Sequence, residues 1–234
     1  MNFPSPLKFP DSGNLELRGL TRTFVGPVPV HALIDVNIQV DQGSRLAILG
    51  RSGSGKSTLL NILGLLDIPT SGTYSIGGID TRTLGENDRT RLRSQFFGFV
   101  FQDYNLLEDR TSLENVELPL RYTSMPRETR LTLAQAALRR VGLGDRIDAL
   151  ANTLSGGEAQ RVAIARAIVH SPRILLCDEP TGNLDTTRSE SIMEIIGEIA
   201  NSGVSVIVVT HDVQLANRFP RRVLVEDGHL RALL

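Results

Sequence analysis

Gly50-Arg51-Ser52-Gly53-Ser54-Gly55-Lys56-Ser57 is the stretch on which the reading of this chain turns. It fits the phosphate-loop pattern G-x-x-x-x-G-K-[ST] and sits where that pattern has a mechanism, after an apolar run, Arg45 to Leu49, and at the start of a helical one. The helical run, Lys56-Ser57-Thr58-Leu59-Leu60-Asn61-Ile62-Leu63-Gly64-Leu65-Leu66, is apolar almost throughout, which suits a helix buried on most sides. Strand, glycine loop and helix come in that order. Glycines let successive backbone N–H groups curl around phosphate oxygens, and the open amide end of the following helix adds a favourable field. In this reading Gly50, Arg51, Ser52, Gly53, Ser54, Gly55 and Thr58 form the cradle. Lys56 reaches the β- and γ-phosphates, and Ser57 ligates magnesium.

Composition supports the role of Lys56. The chain carries 23 arginines and only two lysines, Lys8 and Lys56, so nearly every cationic position is arginine. The exception falls where a compact ammonium on a slender stem suits a closed cradle better than a planar guanidinium.

Outward from the loop, Ile174-Leu175-Leu176-Cys177-Asp178-Glu179-Pro180 is an apolar strand delivering two acids at its carboxyl end, where open α/β sheets hold ligands. Asp178 would hold magnesium through water, and Glu179 would accept a proton from the water attacking the γ-phosphate. Read alone, the pair fits turn or cap residues equally well, and Cys177 fits a small apolar filler. A third element, Leu154-Ser155-Gly156-Gly157-Glu158, precedes a helix beginning Ala159-Gln160-Arg161. Ser155 is a natural N-cap, and the two glycines make a second helix end able to face an anion, although an ordinary capped helix reads the same way.

That pentapeptide, lying between a phosphate loop and an Asp-Glu strand, resembles the signature of ATP-binding cassette (ABC) ATPases. The resemblance runs from Leu15 to Leu234. It implies an α/β fold: a P-loop NTPase (RecA-like) core with an N-terminal antiparallel β region and an inserted helical subdomain at about 87–155. It also implies roles for further residues. Gln102, in Gly98-Phe99-Val100-Phe101-Gln102, matches the glutamine loop that senses magnesium and the attacking water. Asp185, in Thr181-Gly182-Asn183-Leu184-Asp185, matches the loop crossing to a second subunit. His211 matches the switch histidine at the γ-phosphate, and Phe24 the aromatic that stacks on adenine. Out of context Gln102, His211 and Phe24 have plainer readings: a strand-end polar residue, a helix cap and a core ring. His31, His170 and His229 have only such readings, His170 as a cation at a helix end.

The resemblance further implies two ATPs sandwiched head to tail between two copies of the chain, each phosphate loop facing the other copy's Ser155, Gly156 and Gly157. The implied partners are ATP, magnesium, a second copy and an integral membrane permease, at the cytoplasmic face of the plasma membrane. Leu63 to Gly72, Asn105-Leu106-Leu107 and Thr181 to Asp185 are similar to the branch that includes macrolide-export and lipoprotein-release ATPases. A rival within the family is a soluble ATPase acting on nucleic acid or ribosomes. Its usual marks, a long coiled coil, zinc cysteines or two cassettes, are not in this sequence.

Composition bounds the rest. Across 234 residues, 41% hydrophobic and 22% charged with a net charge of −1, the chain is an ordinary globular one without the basic excess that tracks a nucleic-acid backbone. One cysteine excludes an internal disulfide, and no run approaches 18 apolar residues. Residues 1–14, with three prolines and no periodicity, read as a flexible arm before a domain at 15–234. From Asn87 to about Gly142 the pattern is mostly helical, with Pro126 at a helix start and Leu131, Ala134, Leu138 and Val141 on one face. Beyond it, apolar runs at Ile174 to Cys177 and Val204 to Val209 flank a helix striped by Ile192, Ile195, Ile196 and Ile199, which indicates parallel strands with crossover helices.

Overall fold

The computed structural model describes residue 10 and residues 12–233. Most of the expected arm, residues 1–9 and 11, lies outside the described residues. The last part of that stretch is tied to the domain: Gly13 N–H donates to Gln42 Oε1 at 3.1 Å, and Asn14 Oδ1 accepts from Gln42 N–H at 2.8 Å.

The chain opens with a long hairpin, β1 (Leu15–Phe24) and β2 (Val30–Val40), then β3 (Arg45–Leu49) and α1 (Lys56–Leu63). β4 (Ser71–Ile76) and the short β5 (Ile79–Asp80) pair beside β1, giving a four-stranded antiparallel sheet ordered β2-β1-β4-β5. Next come α2 (Glu86–Phe96), β6 (Phe97–Val100), α3 (Ser112–Glu117), α4 (Arg127–Arg140) and α5 (Gly156–Ile168). The chain closes with β7 (Ile174–Asp178), α6 (Thr186–Asn201), β8 (Ser205–Thr210), α7 (Val213–Ala216), β9 (Arg221–Glu226) and β10 (His229–Leu233).

The second sheet is ordered β10-β9-β3-β8-β7-β6, parallel throughout except for β10. Its central strands are buried on both faces, as parallel strands between layers must be. Because successive side chains point to opposite faces, the strands divide two cores between them. Leu46, Ile48, Leu176, Ile207 and Val209 join α1 and the antiparallel sheet, whereas Ala47, Leu49, Leu175, Cys177, Val206 and Val208 join α5 and α6. The isoleucine stripe of α6 lies in the second of these cores, together with Ala134, Leu138 and Val141 of the α4 region.

The stretch expected to be helical from Asn87 onward contains a strand of the central sheet. β6 pairs with β7 from Phe97↔Ile174 to Val100↔Cys177. Phe97-Gly98-Phe99-Val100 is too short a run to display an alternating period, so the sequence hints at the strand only through the strand-end reading of Gln102. Gly98 lets α5 press onto it, since a Cβ there would stand 2.2 Å from the carbonyl oxygen of Ala167. α1 also stops earlier than its apolar run: Gly64 is its C-cap, and Leu65 turns the chain at φ 58°.

Candidate functional site

The strand order brings the sequence landmarks to one edge. β6, β7, β8 and β3 are consecutive and parallel, so the segments leaving their carboxyl ends emerge on the same side. In register, Leu49 lies opposite Thr210, Asp178 opposite Val209 and Val100 opposite Cys177. The glycine loop after Leu49, the acids at 178 and 179, His211 and Gln102 thus stand at the ends of neighbouring strands.

The loop is built around its glycines. Gly53 and Gly55 have φ 78° and 107°, which only glycine adopts freely. A Cβ on Gly55 would stand 2.2 Å from the carbonyl oxygen of Ala32 in β2, and one on Gly50 would stand 2.4 Å from that of Val225 in β9. The loop is therefore clamped between the hairpin and the sheet. A Cβ on Gly53 would meet nothing within 4 Å. α1 begins with Gly55 as its cap, so no side chain satisfies its first amides. Lys56 is buried, its Nζ donating to the carbonyl oxygen of Arg51 at 2.7 Å. Ser54 Oγ is buried and has no partner among the described residues. Free amides, an orphaned hydroxyl and an ammonium parked on a carbonyl fit phosphate oxygens. Ser57 lies in the first turn with Thr58. The Ser57 hydroxyl donates to the Asp178 carboxylate, and this pair is the hard oxygen set that magnesium takes. Burial pushes the Asp178 carboxyl above the usual range, partly offset by Ser57 and the charge of Lys56, while the charge of Glu179 adds to the rise.

Glu179 stands at φ 45°, in the left-handed region. Its Oε2 accepts from Thr210 Oγ1 at 2.9 Å, and Oε1 lies 2.8 Å from His211 Nδ1. With a carboxylate as acceptor the hydrogen sits on Nδ1, leaving Nε2 of the exposed imidazole outward. Glu179 and His211 are thus brought together directly. Gln102 is exposed, and the side chain of Asn183 bonds to it twice: Asn183 Nδ2 donates to the Gln102 carbonyl oxygen at 3.0 Å, and Asn183 Oδ1 lies 3.4 Å from Gln102 Nε2. Gln102 thereby joins the Thr181 to Asp185 loop.

Phe24 ends β1 opposite Val30, two residues before the Ala32 that abuts Gly55. The Arg22 guanidinium covers one ring face at 4.4 Å from the centroid, with Arg22 Nε bonded to Asp67 at 2.9 Å. Ser155 caps α5 in a full capping box: its Oγ accepts from Glu158 N–H, and Glu158 Oε2 accepts from Ser155 N–H at 2.9 Å. Gly156 lies beside the Tyr104 hydroxyl and Gly157 beside the Arg188 side chain, which pairs with Asp185 at 3.4 Å. Asp185 caps α6, accepting from Arg188 N–H at 2.9 Å.

Several participants lie beyond the sequence reading. Thr210 is the polar residue that ends the apolar run Val206 to Val209, a signal available beside His211. Asn183, Gln160 and Arg166 give no such signal. Arg166 donates to the carbonyl oxygens of Tyr104 and Asn105, at 2.7 and 2.5 Å, and holds the two positive-φ residues just past the glutamine loop. His170 is corrected. It lies beyond α5 and largely buried, with Nε2 3.1 Å from the carbonyl oxygen of Phe97. Burial lowers its basicity, partly offset by the bond to Phe97, and so disfavours the helix-end cation expected from the sequence.

The ABC transporter family model matches residues 33–182. The chain is 45% identical over 215 residues to a macrolide export ATP-binding/permease protein, MacB, of Shewanella, covering 92% of this chain and 33% of that protein. It therefore spans about a third of the length of the curated relatives it matches. Among solved structures, the dimeric bacterial ABC transporter cassette MJ0796 superposes with a TM-score of 0.86 at 41% identity, covering 94% of this chain and 97% of that one. The same cassette in a post-hydrolysis dimer bound to ADP and Pi gives 0.86 at 40% identity, with the same coverage of both chains. Among the described residues no helix is long and apolar enough to cross a membrane.

Proposed function

The chain belongs to the ABC transporter family as an ATPase cassette, and from that premise we propose that it binds ATP and magnesium, hydrolyses ATP as a head-to-tail dimer, and drives a membrane permease of the export or release branch. The observation that carries the reading is the Glu179 carboxylate, held by Thr210 and His211 at the sheet edge that also bears the Lys56 loop.

Phosphate oxygens would lie on the amides of 53–58, with Lys56 leaving the Arg51 carbonyl to reach the β- and γ-phosphates. Ser57 and Asp178 would hold magnesium, with Gln102 as a further contact, and the ion supplies charge neutralisation on the phosphates. Glu179 takes the proton of the attacking water, Thr210 keeps its carboxylate oriented, and His211 stands beside it at the γ-phosphate, whose oxygens it can meet only by donating a ring N–H. Phe24 offers its uncovered face to adenine. Ser155, Gly156 and Gly157 close on the other copy's nucleotide, with Asp185 beside them. The dimeric form of MJ0796 and its ADP and Pi complex support this assembly. Similarity to MacB supports the branch and a permease partner, and with it a place at the cytoplasmic face of the membrane.

Glu179→Gln is the test. ATP binding should persist, turnover should fall by about 10²–10⁴-fold, and a dimer should accumulate with ATP on size-exclusion chromatography. Turnover within a few-fold of the parent would remove Glu179 as the base. Purification from membranes with no permease attached would remove the transport half of the reading.

A further inference from the structure

Gln160 lies in α5, just past the Ser155 cap, with its side chain fully buried. Its Nε2 donates to the carbonyl oxygen of Pro180 at 2.6 Å, and the amide must face that way because a carbonyl only accepts. The amide oxygen is buried and has no partner among the described residues. An apolar side chain of the same size would pack there without an orphan, so the amide needs a reason, and the reason lies in what its nitrogen holds.

Pro180 has no N–H, so its carbonyl is the backbone group by which this residue can be gripped. Directly before it, Glu179 is in the left-handed region at φ 45°. A strained residue keeps such a conformation only where its surroundings over-determine it. Three restraints come from the sheet edge and the loop itself: Glu179 N–H to the Val209 carbonyl at 2.9 Å, Gly182 N–H to the Glu179 carbonyl at 3.0 Å, and the bonds to its carboxylate. The restraint from Gln160 comes from a separate element, the helix that carries the Ser155 cap.

We infer that Gln160 is a positioning residue for Glu179: by gripping the Pro180 carbonyl from α5 it holds the backbone turn on which the Glu179 carboxylate is oriented for proton abstraction. The inference rests on the reading of Glu179 as general base.

The test uses the full chain and two variants. In Gln160→Met the donor is gone and the volume is kept. Turnover number should fall about 10- to 100-fold, while the KM for ATP and the affinity for a fluorescent ATP analogue stay within about twofold. In Gln160→Glu a buried carboxylate faces a carbonyl at high pH, but once protonated its O–H donates where the amide did. Its turnover should therefore recover relative to the parent as pH falls from about 8 to about 6, since burial raises a carboxyl pKa. A folded Gln160→Met with a turnover number within twofold of the parent would overturn the inference. If that variant does not fold, a Gln160→Glu pH profile parallel to the parent's would overturn it. Glu179→Gln assayed alongside separates the two ideas. If that variant keeps turnover, the general-base reading falls. If it is inactive while Gln160→Met is not, only the positioning role falls.

Discussion

The two helix ends that carry the glycine motifs are built in opposite ways. α1 starts at a glycine with φ 107°, has no acidic residue in its first turn and places a buried lysine there. α5 starts at a serine that closes a capping box with Glu158, and Glu158 is paired in turn with Arg146 at 3.0 Å. At α1 the first amides have no side-chain cap, and in the proposed function their partner is a phosphate. At α5 the chain supplies its own partners, and a carboxylate stands in the first turn. In the proposed function this end meets a phosphate held by the other copy. The difference fits the proposed division between a cradle within one copy and a surface that completes the other copy's site.

The largest effect is expected at the open end. Gly55→Ala forces a Cβ to 2.2 Å from the Ala32 carbonyl at a φ only glycine tolerates. It should cost about 2–5 kcal/mol of stability in denaturant unfolding and abolish nucleotide binding. Lys56→Ala leaves the backbone alone and removes the buried ammonium. ATP affinity should drop by about 2–5 kcal/mol, at least about 30-fold, by calorimetry, and unchanged affinity would end the role of Lys56. At the self-capped end, Ser155→Ala should lower stability by only about 1 kcal/mol. It should reduce steady-state turnover while weakening ATP binding to a single copy far less than Lys56→Ala does.

The smallest effect is a pair of titrations displaced in opposite directions from their ordinary values. Burial raises the Asp178 carboxyl, whereas the Ser155 amide and hydroxyl, with Arg146, hold Glu158 below the usual carboxylate range against the opposing effect of desolvation. On acidification Asp178 should therefore titrate above the ordinary aspartate value of 3.8 and Glu158 below the ordinary glutamate value of 4.5, as read from carboxyl carbon shifts in NMR titration. The signs for stability are opposite. Glu158, depressed in the fold, stabilises above its ordinary value of 4.5, and that contribution is lost as pH falls through its lowered value. Asp178, raised in the fold, favours folding below its ordinary value of 3.8, and that advantage is lost as pH rises through its raised value. Asp178 titrating at or below 3.8, or Glu158 at or above 4.5, would erase the electrostatic contrast between the ends.

Legibility in the sequence divides along the same line. The glycine loop is legible because its eight residues are contiguous and glycine spacing, strand and helix act on one another locally. The isoleucine stripe of α6 and the buried run of β8 are legible for the same reason, since periodicity reports a buried face. The strand Phe97–Val100 is not, because a four-residue run carries no period and only its pairing with β7 makes it a strand. His170 misleads because proximity to a helix end is a local fact, whereas its burial depends on a strand more than 70 residues away.

The residues of the candidate site are named by sequence alone: Lys56 and Ser57 in the loop, the Asp178-Glu179 pair and the Ser155 cap belong to short stretches whose chemistry can be read within a few residues. Their mutual placement belongs to the tertiary structure. Thr210 and His211 reach Glu179 across 31 and 32 residues, and Gln160 reaches Pro180 across 20. The physical reason is that side-chain reach is only a few ångströms, so such contacts exist only once the order β3-β8-β7-β6 has set the strands side by side, and no local propensity encodes that order.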